Sequence, residues 1–251
     1  PLPAPVEEAD AACETLVVEA DPDALGLRGM QKLIAEFAYY PDGITLPDQV
    51  GDDSMKALTE ILERFGMSPA RFERMKPWYV AQVITVLELA RLGVDAQKGV
   101  DLHFLRQARD QRPIIELEGV HFQLMFLNHF SDDEQQLMLE YTLRDLARME
   151  DVFVDIFDAW ESGDPDKLNA LFTDFLADSK GLEAVYEKLL AGRNQPMFRK
   201  IRTLLTDGRT HFIVVGAGHL IGEQGLLQML EEDGVPLEQV GGRQPLAVEA
   251  E

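Results

Sequence analysis

The sequence has one cysteine, no long apolar run and few basic residues, and each shortage excludes a class of protein. Cys13 stands alone among 251 residues, so no disulfide can form within the chain. No apolar run approaches the roughly 18–20 residues of a membrane-spanning helix. The 23 basic residues are outnumbered by 45 acidic ones, and the formal net charge is -22. Such a surface repels nucleic-acid phosphates and anionic lipid headgroups, so we expect no nucleic-acid partner. From the lack of a long apolar run we expect no membrane span in this sequence.

What is present is the composition of an ordinary globular protein. Hydrophobic residues make up 46% of the chain and charged residues 27%, which allows a sizeable core. The first residues, PLPAPVEEAD, lack an initiator methionine and lack the basic and apolar segments of a secretion signal. We expect that processing or trimming produced this start, so the sequence leaves the protein's location open.

Three short β-branched runs predict buried strands. They occupy residues 15–19 (TLVVE), 113–118 (PIIELE) and 211–216 (HFIVVG), and Gly, Pro or Asp residues lie at their ends. Runs of this length between such residues favour strands over helices. A weaker run at 235–240 (VPLEQV) is a fourth candidate.

Helical patterns fill the long gaps between these runs. Residues 54–66 have apolar side chains at helical spacing and end on Gly66, and residues 77–92 begin with Pro and stop before Gly93. Residues 132–160 are charged and periodic, which predicts one long helix or two consecutive helices.

This alternation of strands and helices predicts an α/β fold. We expect a central, largely parallel sheet flanked by helices. The strands lie too far apart in the sequence for simple crossovers, so long helical insertions should separate them, at roughly 25–95 and 120–205. Because no repeat or low-complexity linker interrupts the chain, we expect a single domain over residues 1–251.

The segment 211–235 contains the most informative motif. A predicted strand runs into Gly216-Ala-Gly-His219, and Gly218 and Gly222 allow the backbone to turn sharply and to approach a ligand closely. Open α/β sheets place their sites just past the carboxyl ends of strands, which is where His219 falls. Its imidazole could ligate a metal ion or transfer a proton near neutral pH. The alternative is a histidine that only forms a hydrogen bond within a tight turn.

The same glycines also imitate a dinucleotide-binding fingerprint. Gly216, Gly218 and Gly222 lie between a strand and a helix, and Glu238 follows Gly218 by 20 residues. The sequence ends without further βαβ units, and a histidine stands where that fingerprint needs a small residue. Both features count against a nucleotide cofactor.

Two glutamates end the first two predicted strands. Carboxylates after apolar strands, such as Glu19 and Glu118, are either solvated edge residues or site residues, because charges are seldom buried alone. If the three strands are parallel, both glutamates meet His219 at one edge of the sheet. An imidazole and two carboxylates are a plausible set of ligands for a divalent metal ion.

Other polar residues divide into possible site residues and structural ones. Arg193 and Asn194 lie in a Gly- and Pro-containing segment (AGRNQPM) that predicts a loop before a helix, and an arginine there could hold a carboxylate. The remaining histidines have no spacing that suggests a shared site, and we expect them to be structural. They are His103, His121, His129 and His211.

Several blocks of the sequence resemble the TraB/PrgY/GumN family. The segment VVGAGHLIGEQGLLQMLEEDGV resembles the family's C-terminal signature and is the most specific match. Blocks that match in the same order are TLVVEAD at 15–21, KGVDLHFLRQAR at 98–109, PIIELEG followed by Gln123, and LLAGRNQPMFRKI at 189–201.

The resemblance implies an α/β domain related to the Tiki metalloproteases and, more distantly, to erythromycin-esterase-like and ChaN-like folds. The Tiki relatives are described as divalent-metal peptidases with two G-x-x-H motifs and a glutamate. Gly216 and His219 match the second motif, and Glu19 matches the glutamate. By this resemblance Glu19 and His219 would bind Mn²⁺, Co²⁺ or Zn²⁺, with Glu118 as base or supporting acid and Arg193 stabilising developing charge. Possible supporting positions are Asn194, Asp101 and Gln123.

One departure from the family pattern concerns the first G-x-x-H motif. In the family this motif precedes the stretch with which the present sequence begins, and it is absent here. Either the strand that carries it lies upstream of this sequence, or the protein lacks the motif. Without it half of the proposed metal site is missing, which counts against activity of the chain as given. The resemblance still implies a metal-dependent peptidase acting on a peptide or protein, with non-catalytic binding of a peptide signal or haem as the alternative. Because bacterial relatives often carry export signals, it also implies an extracytoplasmic location.

Overall fold

The three predicted strands form one small parallel sheet. The computed structural model describes residues 2–177, 179 and 181–240. Its strands are β1 (Thr15–Val18), β2 (Ile114–Glu116) and β3 (His211–Val214), in the order β2-β1-β3. Both neighbours run parallel to β1. The central parallel sheet expected from the sequence is thus confirmed.

The middle strand is buried on both faces, which explains its continuous apolar run. Residues Leu16, Val17 and Val18 are at most 1% exposed. Successive side chains of a strand point to opposite faces. Leu16 and Val18 accordingly pack with Phe104, whereas Val17 packs with Met197 on the other side.

Helices occupy most of the remaining described chain. Before β2 they are α1 (Ala4–Ala11), α2 (Gly26–Phe37), α3 (Asp52–Arg64), α4 (Pro77–Arg91) and α5 (Val100–Ala108). Between β2 and β3 they are α6 (Val120–Asn128), α7 (Asp132–Asp145), α8 (Met149–Ser162), α9 (Pro165–Ala177), α10 (Glu183–Leu189) and α11 (Ala191–Leu204). After β3 comes α12 (Leu226–Glu232).

Local signals explain several helix boundaries. Ser131 and Glu134 form a capping box that begins α7, since each side chain meets the other residue's backbone N–H. Pro77 occupies the first turn of α4, where its missing N–H is not needed. Gly163 ends α8 in the left-handed conformation.

A second apolar cluster contains no residue of the sheet and is formed mainly by helices. Leu58 and Leu62 of α3, Ile84 of α4 and Leu139 of α7 belong to it, and each is at most 1% exposed. The helices that the sequence placed between the strands therefore have a core of their own. None of the helices in the described ranges is long and apolar enough to cross a membrane.

Two expectations about local structure were wrong and one is refined. Residues 235–240 form no strand: β3 is the outermost strand on its side of the sheet, and these residues do not pair with it. Arg193 and Asn194 lie within α11 and not in a loop: Gly and Pro there imitate a loop, but Met197 and Ile201 anchor the segment as a helix against the sheet. The stretch 132–160 forms two helices, separated by a 3₁₀ turn at Leu146–Arg148.

Candidate functional site

The carboxyl ends of the three strands bring the predicted site residues together. Glu19 follows β1, Glu118 follows β2 and Gly216 follows β3. Backbone pairing continues past the strands, since the amides of Leu117 and Glu118 donate to the carbonyl oxygens of Val18 and Glu19. The two glutamates are thereby held side by side at this edge.

Arg193 connects the two glutamates from α11. Its Nε donates to Glu118 Oε1 at 2.8 Å and its Nη2 to Glu118 Oε2 at 2.6 Å. The same Nη2 donates to Glu19 Oε2 at 3.0 Å. Burial by itself would lower the pKa of Arg193, but the hydrogen bonds and charges of the two glutamates outweigh it and raise that pKa. Arg193 is therefore a fixed positive charge between two carboxylates.

Gln123, on the first turn of α6, bonds to the same pair of carboxylates. Its Nε2 lies 3.2 Å from Glu19 Oε2 and 3.1 Å from Glu118 Oε2. The Glu118 side chain is 2% exposed and has both oxygens occupied, whereas the Glu19 side chain is 21% exposed. Glu19 is thus the carboxylate that solvent reaches.

Asn194 determines which nitrogen of His219 carries the proton. Its Nδ2 donates to the carbonyl oxygen of Gln224 at 2.7 Å, so its Oδ1, 2.6 Å from His219 Nδ1, must accept the imidazole proton. His219 Nε2 then keeps a lone pair, and it lies 3.8 Å from Glu19 Oε2. Burial lowers the pKa of His219, which favours the neutral imidazole that binds metals.

The glycines of the motif shape the turn around this pair. The amide of Gly216 donates to Glu19 Oε1 at 2.7 Å, and a Cβ at Gly216 would stand 3.3 Å from that oxygen. Gly222 has a φ of +79°, a left-handed conformation that favours glycine, and a Cβ there would lie 3.0 Å from Asn169 Oδ1. Gly218 packs closely against the side chain of Leu190.

We call the connected polar side chains at this edge the polar cluster: Glu19, Glu118, Gln123, Arg193, Asn194 and His219. A cavity of about 600 Å³ opens beside it, at the carboxyl ends of β1 and β3. Glu19, Gln123 and Gly216 line it, and so does the exposed Asp101 of α5. His219 is only 4% exposed. A molecule in this cavity would therefore meet Glu19 before His219.

The polar cluster offers donors for a cation, but few of them. Glu19 and Glu118 carry two negative charges, Arg193 carries one positive charge and the imidazole is neutral, so a negative charge is left over. His219 Nε2 and Glu19 Oε2 could share an ion. Across the described ranges, no group of three or more His, Cys, Asp or Glu side chains could hold a metal ion. Catalytic zinc sites generally have three protein ligands, so the pair fits a metal only in part.

The chain contains a second G-x-x-H spacing, which lies far from the candidate site. Gly208 and His211 have it, but they lie at the amino end of β3, at the opposite edge of the sheet from Glu19. There His211 contacts Thr15 through Nδ1 and lies 3.0 Å from Asp207 through Nε2. Its position therefore does not supply the missing ligand.

The other histidines each have a local contact away from the cluster. His103 lies 2.9 Å from Glu7, His129 Nδ1 lies 2.7 Å from the carbonyl oxygen of Met125, and His121 packs edge-on against Phe37. The structure brings none of these three to His219 among its described contacts, in keeping with the structural roles expected for them.

Comparison with known proteins shows which family this chain belongs to. The model of the TraB/PrgY/gumN family matches residues 1–239. The chain belongs to this family. It is 28% identical over 231 residues to the uncharacterised protein YbaP of Escherichia coli and to that of Shigella flexneri, covering 92% of this chain and 81% of each relative. No solved structure matches the chain significantly.

Proposed function

We propose that this protein is a divalent-metal-dependent hydrolase that cleaves peptide bonds, with Glu19 and His219 as metal ligands. One observation carries the proposal. His219 Nε2, whose lone pair is left free by the bond from Nδ1 to Asn194, faces Glu19 Oε2 at 3.8 Å. An imidazole nitrogen and a carboxylate oxygen are two kinds of ligand that a transition-metal ion accepts, and here they lie next to each other.

A bound Mn²⁺, Co²⁺ or Zn²⁺ would supply Lewis acidity and an activated water. The residues of the chain have distinct parts in this proposal. Asn194 keeps the imidazole in the tautomer that presents Nε2. Gly216 and Gln123 hold Glu19 by hydrogen bonds to its two oxygens.

Glu118 and Arg193 act as a unit. Both oxygens of Glu118 accept hydrogen bonds from Arg193, which favours a role in holding the guanidinium over a role as general base. Arg193 stands beside the Glu19 oxygen that would bind the metal ion. Its fixed charge is placed to stabilise negative charge that develops on a substrate carbonyl.

Non-catalytic binding of a peptide is the second candidate function. The same cavity would serve it, and the presence of two metal donors where catalytic sites generally have three favours it. No feature of the described residues favours haem in the same way, since His219 faces a carboxylate and is 4% exposed.

Thermal melting with Mn²⁺, Co²⁺, Zn²⁺ and Mg²⁺ tests the metal site. A ligand that binds only the folded protein stabilises it by about 2.7 kcal/mol at a hundredfold excess over its dissociation constant. We expect a transition metal to raise the melting temperature of the wild type and of His211→Ala, but not of His219→Ala. The two histidine side chains are similarly buried, at 6% and 5% exposure, so His211→Ala is a matched control.

The outcomes separate the two functions. An equal shift in all three proteins would mean that the acidic surface binds cations elsewhere, and no shift would mean that the pair binds none; either result contradicts the proposal. A shift confined to proteins with His219, together with metal-dependent cleavage of a peptide library, supports the hydrolase. The same shift without cleavage favours the binding protein.

A further inference from the structure

The cavity beside Glu19 has mostly apolar walls. Side chains from four helices contribute to them: Met30 of α2, Val100 of α5, Val120 and Leu124 of α6, and Trp160 of α8. The ends of β1 and β3 complete the wall next to Glu19. A volume of about 600 Å³ lies within the range of small-molecule sites and exceeds a single side chain.

The charges of the cavity are of one sign. Glu19 and Asp101 line it, and no Lys or Arg side chain does among the described residues. An acidic group placed there would lose water and meet the carboxylates of Glu19 and Asp101, and no described basic side chain lines the cavity to pair with it, which is unfavourable. An apolar group would instead gain free energy by leaving water.

The contact with Glu19 makes this cavity more than an apolar surface. Glu19 is the solvent-accessible member of the proposed metal-binding pair, and it stands in the cavity wall. A peptide with a carbonyl group beside Glu19 would have Met30, Leu124 and Trp160 in the wall of the same cavity, available to a neighbouring side chain.

We infer that this cavity is a specificity pocket, which receives an apolar side chain next to the scissile bond and excludes an acidic one. The inference rests on the proposed function in one respect, namely that a peptide bond next to the pocket is cleaved. The preference itself is a property of binding, so it can be measured without catalysis.

Trp160 supplies a signal for binding. It lines the cavity and is 44% exposed, whereas the other tryptophan, Trp78, is 0% exposed and packs in a separate cluster with Phe37. Occupation of the cavity should thus change the fluorescence of Trp160 alone. Trp160→Phe is the variant in which the change should disappear.

The test uses blocked tetrapeptides that differ at one central position, carrying Leu, Phe, Asp or Lys. We expect the Leu and Phe peptides to bind at least tenfold more tightly than the Asp peptide, which corresponds to about 1.4 kcal/mol. Tighter binding of the Lys peptide than of the Leu and Phe peptides would show that the carboxylates dominate recognition, and would overturn the inference. So would equal binding of all four peptides.

Two variants of α2 locate the effect. Met30→Asp adds a negative charge to the cavity wall and should weaken binding of the Leu peptide about tenfold. Leu27→Asp, one turn away on the same helix, is the matched control, because Leu27 is 76% exposed and does not line the cavity. Equal affinities in the two variants, each checked to be folded by its melting transition, would contradict the assignment of the pocket.

Cleavage of the same peptides with and without Mn²⁺ separates the inference from the function. Selective binding without cleavage would support the pocket and contradict the hydrolase. Cleavage without a preference for the apolar peptides would support the hydrolase and contradict the pocket.

Discussion

The two edges of the central sheet carry the same kinds of side chain and use them differently. At the amino edge both ring nitrogens of His211 have partners, Thr15 at Nδ1 and Asp207 at Nε2. At the carboxyl edge only Nδ1 of His219 is hydrogen-bonded, to Asn194, and Nε2 stands 3.8 Å from Glu19. Both nitrogens of His211 have hydrogen-bond partners, whereas Nε2 of His219 has a free lone pair next to a carboxylate.

The arginines of the two edges differ in the same way. Arg112, at the amino edge, pairs with the single carboxylate of Asp10 and also donates to the carbonyl oxygens of Asp10 and Cys13. Arg193 pairs with two carboxylates, Glu118 and Glu19. The Arg112–Asp10 pair is balanced in charge, whereas Arg193 with its two glutamates keeps a negative charge beside a cavity. Residue type therefore does not distinguish the amino edge from the edge that carries the candidate site, whereas the pairing does.

The largest expected effect comes from removing each arginine. Arg193→Met removes the cation from the buried Glu118 and from Glu19, and Arg112→Met removes it from the buried Asp10, so each should lower the free energy of unfolding by about 3–5 kcal/mol. The side chains are comparably buried, at 14% and 15% exposure. Urea unfolding measures both variants.

Divalent metal should then separate the two arginine variants. A cation can replace the missing charge of Arg193 at Glu19, so Mn²⁺ or Zn²⁺ should stabilise Arg193→Met more than it stabilises the wild type. Arg112→Met should respond as the wild type does. An equal response of both variants would mean that the two edges do not differ in cation binding.

A smaller effect is expected from the residues that orient the two histidines. Asn194→Ala removes the acceptor that holds His219 Nδ1, and loss of such a partner typically weakens metal binding 10–100-fold. Thr15→Val removes the corresponding contact of His211 and should leave metal affinity unchanged. Calorimetric titration with Mn²⁺ measures both. Unchanged affinity in Asn194→Ala would show that the tautomer of His219 does not matter for binding.

The smallest effect concerns Cys13, next to Arg112 at the amino edge. Burial raises the pKa of the Cys13 thiol above its ordinary value, and the opposing charge of Arg112 does not offset it. A raised pKa means less thiolate at any given pH, so reaction with a thiol-specific disulfide reagent should have a higher pH midpoint in the folded protein than in the unfolded one. The same chain in urea, with its ordinary pKa, serves as the control. A folded-state midpoint at or below the unfolded one would contradict the effect of burial.

Sequence reasoning found most members of the carboxyl edge, but not how they are connected. Glu19, Glu118 and His219 follow from their places after buried strands. The bridging position of Gln123 does not, because its contacts depend on how α6 packs over the ends of β1 and β2. Arg193 was expected in a loop because Gly and Pro stand beside it, and the packing of Met197 against β1 outweighs that local signal.

The sequence by itself determined the three strands, the α/β class and the family of this protein. These depend on local properties: buried parallel strands need continuous apolar, β-branched runs, and the Gly-rich turn before His219 is read from consecutive residues. Only the tertiary structure decided which residues meet. Arg193 and Glu19 are 174 positions apart, and Gly216 and Glu19 are 197 apart. Contacts across such separations depend on strand order and helix packing, which local patterns do not contain.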